Sequence, residues 1–208
     1  MKKIAPSKAE TSLLAPFPGL LLEQIVVPLS KAECDAAAQE ILAAGIAGFD
    51  TESKPTFDVG AISAGPHVLQ FALRDKAYIF QLHQLACREA VVELLRSEQL
   101  LKVGFDLKSD HQQIYQRLGV RLGAVLDLNK VFRNLGYSNS MGARAAVGVV
   151  LQQNFRKSKH VTTSNWSLPQ LTPRQLLYAA NDAYAALQVF QALNLPRQDL
   201  PITGLSES

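Results

Sequence analysis

The sequence predicts one α/β domain built on a mixed sheet. Three observations carry this. Helical and strand-like apolar runs alternate along the chain. Two of the strand-like runs are joined by a short polar turn, an antiparallel hairpin inside an otherwise alternating order. The 208 residues, 48% hydrophobic and 19% charged, are enough for a single core and too apolar for a disordered chain.

Residues 1–28 read as a lead-in without a clear period. The body runs from 29 to 196, and 197–208 form a tail. A helix starts after Ser30, because Glu33 stands at the capping-box spacing, and Gly45 stops it. Residues 46–52 form a strand that turns abruptly acidic, and Pro55 closes it for want of an amide donor. Residues 67–73 and 77–82 form the hairpin around Arg74-Asp75-Lys76. A helix over 89–98, a strand over 100–105, a helix over 110–118 and a strand over 120–126 follow. A helical turn then runs through Phe132, and a helix of small residues spans 142–155. Residues 156–171 are a polar loop. Thr172 caps the final helix, Pro173 takes its first position, and Pro196 ends it.

Several classes of function are set aside by composition. No apolar run approaches the roughly 18–20 residues that cross a bilayer, so no membrane role is expected. Lys8, Glu10, Pro16 and Pro18 break the one stretch with the look of a secretion signal. Two cysteines, Cys34 and Cys87, cannot build a disulfide-dense scaffold; both are expected to pack separately in helices of a reduced, cytoplasmic protein. The four histidines show no zinc-ligand spacing.

The chemistry lies in the acids. Asp50 and Glu52 are two apart on a strand, so both carboxylates leave the same face. Side by side they repel, and a divalent cation would relieve that. Solvation at a strand end would relieve it too. Asp110 opens a helix, where the macrodipole alone favours an acid; Asp106 competes with it for any metal role. Tyr178 and Asp182 are four apart on the last helix and share a face. Four hard oxygen donors suit two Mg²⁺ or Mn²⁺ ions, the clamp used on phosphodiesters, with Tyr178 placed to orient or deprotonate a water.

The substrate side is basic. The net charge of +3 divides unevenly: residues 128–181 hold seven bases and no acid, and the rest of the chain totals −4. Arg156, Lys157 and Lys159 form the densest cluster and read as a phosphate-facing surface. Trp166, the only tryptophan, offers a face for base stacking and would equally serve as a core anchor.

Phe49-Asp50-Thr51-Glu52, Asp110 and Tyr178-x-x-x-Asp182 resemble the motifs of the DEDD 3′–5′ exonucleases, in the branch that carries tyrosine. With Val103-Gly104, Ser164-Asn165-Trp166 and Leu171-Thr172 leading to Gln175, the chain resembles ribonuclease D and Werner-type exonuclease domains over about residues 30–193. The resemblance implies a ribonuclease H-like fold, a five-stranded mixed sheet flanked by helices. It implies two divalent cations: Asp50 binding both, Glu52 and Asp182 holding the nucleophile-side ion, Asp110 helping with the other. Thr51, Arg156, Lys157, Lys159 and Trp166 are the expected substrate contacts. The expected reaction removes nucleoside 5′-monophosphates from single-stranded or frayed 3′ ends of DNA or RNA. A weakly catalytic nucleic-acid-binding module and a small-oligonucleotide phosphodiesterase are the alternatives. With about 15 residues after the last helix, the chain reads as a stand-alone catalytic domain.

Overall fold

The computed structural model describes residues 2–55 and 65–206. Its elements in order are α1 (Lys8–Thr11), β1 (Ala15–Pro16), β2 (Ile25–Val26), α2 (Lys31–Ala44), β3 (Ile46–Glu52), β4 (Val68–Ala72), β5 (Ala77–Gln81), α3 (Arg88–Arg96), β6 (Leu101–Gly104) and α4 (Lys108–Leu118). Then come β7 (Val125–Asp127), α5 (Leu128–Asn134), α6 (Ala143–Val150), β8 (Gln153–Asn154), α7 (Lys159–Thr162) and α8 (Pro173–Leu193).

The main sheet has the order β2-β5-β4-β3-β6-β7. It is a mixed α/β sheet with six strands rather than the expected five. The extra strand is β2, from the stretch read as a lead-in, which pairs in parallel with β5 at one edge. β3, β4 and β5 are antiparallel neighbours, whereas β6 and β7 run parallel to β3. A second pairing, β1 with β8, ties the lead-in to the chain after α6. The tail also joins the body: Thr203 pairs with Val125. Its last two residues lie outside the described set.

The ends of the elements follow local chemistry. Ser30 accepts from the Glu33 amide while Glu33 accepts from the Ser30 amide, and Gly45 takes the left-handed conformation that ends α2. Thr172 and Gln175 form the same box on α8, with Pro173 in the first turn. The hairpin turn closes through the Leu73 amide on the Lys76 carbonyl at 2.8 Å. The strand expected over 120–126 shrinks to 125–127 because Ala124 sits at φ 39°, outside any strand conformation. The helix expected through Phe155 stops at Val150; Gln152, at φ 55°, turns the chain into β8. The loop expected over 156–171 contains the single turn α7.

Each face of the sheet buries a core. On one face Ile41 of α2, Leu94 of α3 and Ile114 of α4 meet Phe49, Phe71 and Phe80. On the other, α8 crosses β3, β4, β5 and β6 behind a row of alanines, including Ala179, Ala183 and Ala186. Small side chains let α8 approach closely. At Gly48 the approach is extreme: a β-carbon there would lie 1.9 Å from the Ala183 carbonyl oxygen.

Two buried groups depart from the sequence reading. Cys34 and Cys87 are joined as a disulfide with Cα atoms 5.1 Å apart, so they are not separately packed thiols. The contact spans 53 residues and links α2 to the turn before α3, a pairing that local pattern does not encode. Lys102, fully buried on β6, donates to the carbonyls of Leu94, Ser97 and Leu100 at 2.8–3.2 Å. It caps the C-terminal end of α3 from inside the core, and burial pushes its ammonium down to about 7.

Candidate active site

β3 divides its side chains between two helices. Gly48 meets α8 and Phe49 enters the opposite core, so the alternation sends Asp50 and Glu52 toward α8. There they meet Asp182, and one oxygen from each of the three carboxylates lies within 4.8 Å of the others. Thr51 points the other way, and its hydroxyl donates to Asp110 at the start of α4. Asp110 thus flanks the group of three, and its charge acts on Asp50. Asp106 stands apart from the three clustered acids, though its charge acts on Asp110. It is exposed, accepts from the Asn129 amide side chain and gives its backbone amide to Asp127, toward β7 and α5.

Burial raises the proton affinity of these acids, and neighbouring carboxylates add to it at Asp50 and Glu52. Burial, then the charges of Asp182 and Asp110, holds the Asp50 carboxyl well above the usual carboxylate range. Burial, then Asp50 and Asp182, pushes Glu52 up to about 10. Asp110 and Asp182 are also raised, chiefly by burial. One cation stands among them. Lys157 Nζ lies 2.7 Å from Asp182 Oδ2. Burial alone would lower this ammonium, but Asp182 and Asp50 outweigh it and hold it above its ordinary value.

Tyr178 stands one turn before Asp182. Its hydroxyl lies 2.8 Å from the Thr162 hydroxyl, and its ring packs at 5.9 Å from that of Trp166. Burial and the Asp182 charge keep the phenol protonated well above its usual range. Trp166 is only 1% exposed and donates its indole N–H to the Thr162 carbonyl at 3.2 Å. It therefore presents no face to a base, which corrects its expected role as a substrate contact: it is a core anchor behind Tyr178. Gln175 reinforces the loop by donating to Ser164 Oγ and the Asn165 carbonyl.

The basic cluster is split. Lys157 turns inward onto Asp182. Arg156 is exposed and lines a cavity of about 670 Å³ with Phe17, Leu20, Tyr178 and Asn181. Lys159 is exposed at the start of α7.

The acids have the character of a divalent-cation site. The donors are hard carboxylate oxygens without a soft ligand among them, which suits Mg²⁺ or Mn²⁺. Gln70 adds a second sign. It pairs directly across from Asp50 on β4, is fully buried, and its side-chain nitrogen and oxygen both lack a partner among the described residues. An orphaned amide beside clustered acids marks a site that the described residues leave incomplete. Sequence reasoning missed Gln70 because an isolated glutamine in a strand carries no pattern. It missed the Thr162–Tyr178 contact for the same reason.

The family model described as 3′–5′ exonuclease matches residues 25–196. The chain belongs to that family. The bifunctional 3′–5′ exonuclease/ATP-dependent helicase WRN of Mus musculus is 28% identical over 204 residues, covering 89% of this chain and 14% of that protein. A 3′–5′ exonuclease of Arabidopsis thaliana is 26% identical over 157 residues, covering 74% of this chain and 53% of that one. The exonuclease-family chain thus spans about half or less of the length of these curated relatives. In fold it is similar to Trypanosoma brucei RNase D, whose complex with RNA U12 superposes with TM-score 0.73 at 19% identity over 95% of this chain and 70% of that one. Within the exonuclease family match lie all the acids described above and Tyr178.

Proposed function

We propose that this chain is a metal-dependent 3′–5′ exonuclease that removes nucleoside 5′-monophosphates from single-stranded or frayed 3′ ends of nucleic acid. The observation that carries it is the convergence of Asp50, Glu52 and Asp182 within 4.8 Å beside the phenol of Tyr178. Family membership and the likeness to an RNase D crystallised with RNA support a nucleic-acid substrate.

Asp50, Glu52 and Asp182 would hold one Mg²⁺ or Mn²⁺ ion, and Asp110, steadied by Thr51, would help Asp50 with a second. When bound, the ions supply Lewis-acid polarisation of the scissile phosphate and a hydroxide at neutral pH. The chain's own residues do the positioning. The Tyr178 phenol, protonated and fixed by Thr162 and Trp166, orients the attacking water by donating or accepting a hydrogen bond. Lys157 reaches the same space and can donate to a phosphate oxygen once Asp182 has another partner. Water's oxygen bonds to phosphorus and gives up a proton to solvent, the bond to the 3′ oxygen breaks, and the released oxygen takes up a proton from solvent.

DNA and RNA oligonucleotides labelled at either end, incubated with Mg²⁺ or Mn²⁺ and with chelator, test this. Stepwise shortening from the 3′ end is expected, lost with chelator and in Asp50→Asn and Asp182→Asn. Tyr178→Phe should cut turnover by about 10²-fold while leaving metal binding intact. Internal cuts, activity surviving both acid substitutions, or tight binding without cleavage would overturn it.

A further inference from the structure

A second cavity lies along α4, on a face adjoining the one that carries Asp110. Asp110 lies beside the acids, whereas Leu107, His111 and Tyr115, each four residues apart, form an adjoining strip that lines the cavity. With Lys108, Arg121 and Lys130 they wall a cleft of about 490 Å³. We infer that this cleft binds the 5′-ward part of the same single strand whose 3′ end enters the acidic site; the inference rests on the exonuclease reading.

Charge points to a polyanion. Lys108, Arg121 and Lys130 are exposed, and none forms an ion pair among the described residues. The one carboxylate in the wall, Asp127, accepts from the Asp106 and Asn129 amides and so is committed to the start of α5. Three cations against that single carboxylate leave the wall net positive, a field suited to successive phosphates. These residues lie mostly outside the basic block of 128–181, so the sequence does not advertise the cluster.

The aromatic component distinguishes nucleic acid from an acidic peptide. Tyr115 is 50% exposed. The Arg121 guanidinium lies over its ring at 5.8 Å. A half-open phenol ring beside a guanidinium plane offers faces on which bases stack, and stacking tolerates any sequence. The geometry also fits one strand. Tyr115 is five residues beyond Asp110 on one helix, about 7–8 Å along its axis, so a strand leaving the acids over the first turn of α4 reaches the cleft within two or three nucleotides.

Binding of labelled single strands of 3 and 12 nucleotides to the full chain, in chelator so that nothing is cut, tests this. Tyr115→Ala should weaken the 12-mer about tenfold. Arg121→Ala with Lys130→Ala should lower the slope of log affinity against log salt by about 1.4, two phosphate contacts on a single strand. The 3-mer should bind each variant as it binds the parent protein. Unchanged 12-mer binding, or equal losses for both lengths, would overturn the cleft. So would poly-glutamate that displaces the 12-mer at equal charge concentration. Cleavage with Mn²⁺ is scored separately. A parent protein that holds the 12-mer through the cleft but never shortens it would sink the exonuclease reading and leave the cleft standing. A parent protein that binds neither length overturns the cleft, while stepwise cleavage with Mn²⁺ would leave the exonuclease reading standing.

Discussion

The Nζ of Lys157 lies 2.7 Å from Oδ2 of Asp182, so an ammonium already neutralises one of the three clustered carboxylates. Lys157 is about a third exposed while Asp182 is buried, and the lysine can therefore withdraw toward solvent. The chain thus carries its own counter-ion for a cluster of acids that repel.

Lys157→Met separates the two roles. Without the ammonium, the metal-free protein should lose about 2 kcal/mol, less than a fully buried broken pair because Asp182 can take a proton. Divalent cations should bind roughly tenfold more tightly, since one positive charge no longer opposes them. Thermal melts with and without Mn²⁺, together with calorimetric titration, read both. Unchanged metal-free melting with unchanged affinity would sink the counter-ion role.

Gly48 sets the distance between β3 and α8. A β-carbon there would meet the Ala183 carbonyl at 1.9 Å, and backbone cannot swing aside as a flexible side chain can. Gly48→Ala should cost about 1–3 kcal/mol and move Asp182, the neighbour of Ala183, off its partners. Gly142→Ala is the control, because a β-carbon at Gly142 meets nothing within 4 Å. Denaturant melts should show loss only at Gly48, and the surviving folded fraction should bind Mn²⁺ more weakly. Equal metal affinity in the Gly48 variant would show that α8 has room to give.

Much of this arrangement was legible in the sequence, for physical reasons that differ by element. α2 and α8 announce themselves through capping boxes and Pro173, all local signals. Asp50 and Glu52 share a face because strand periodicity is two, and Tyr178 and Asp182 because helix periodicity is near four. What was not legible is long-range. β2 has two residues, too few for a pattern, and exists only because β5 lies beside it. Cys34 meets Cys87 only after α2 and α3 pack. Lys157 reads as one of three similar bases until the fold turns it inward, and Trp166 reads as a possible platform until its indole is seen bonded to Thr162.

The raised acids make metal binding a proton-coupled event. In the metal-free protein, Glu52 is held up to about 10 by burial and by Asp50 and Asp182, against an ordinary 4.5. A carboxyl whose affinity for protons is higher folded than unfolded stabilises the fold fully below pH 4.5. That contribution fades as pH rises toward 10, since between these values the folded state binds more protons. Metal-free stability should therefore fall with rising pH across this window. A divalent cation takes only the ionised carboxylate, so at pH 7 its entry must expel the Glu52 proton. Apparent Mn²⁺ affinity should then rise by about tenfold or more per pH unit between pH 6 and 8. Titration calorimetry in two buffers of different ionisation enthalpy measures the release, with at least one proton per protein expected at pH 7. Equal heats in both buffers, with affinity flat across that range, would mean that Glu52 is already ionised before any cation arrives, and that Lys157 alone suffices to hold the cluster's charge.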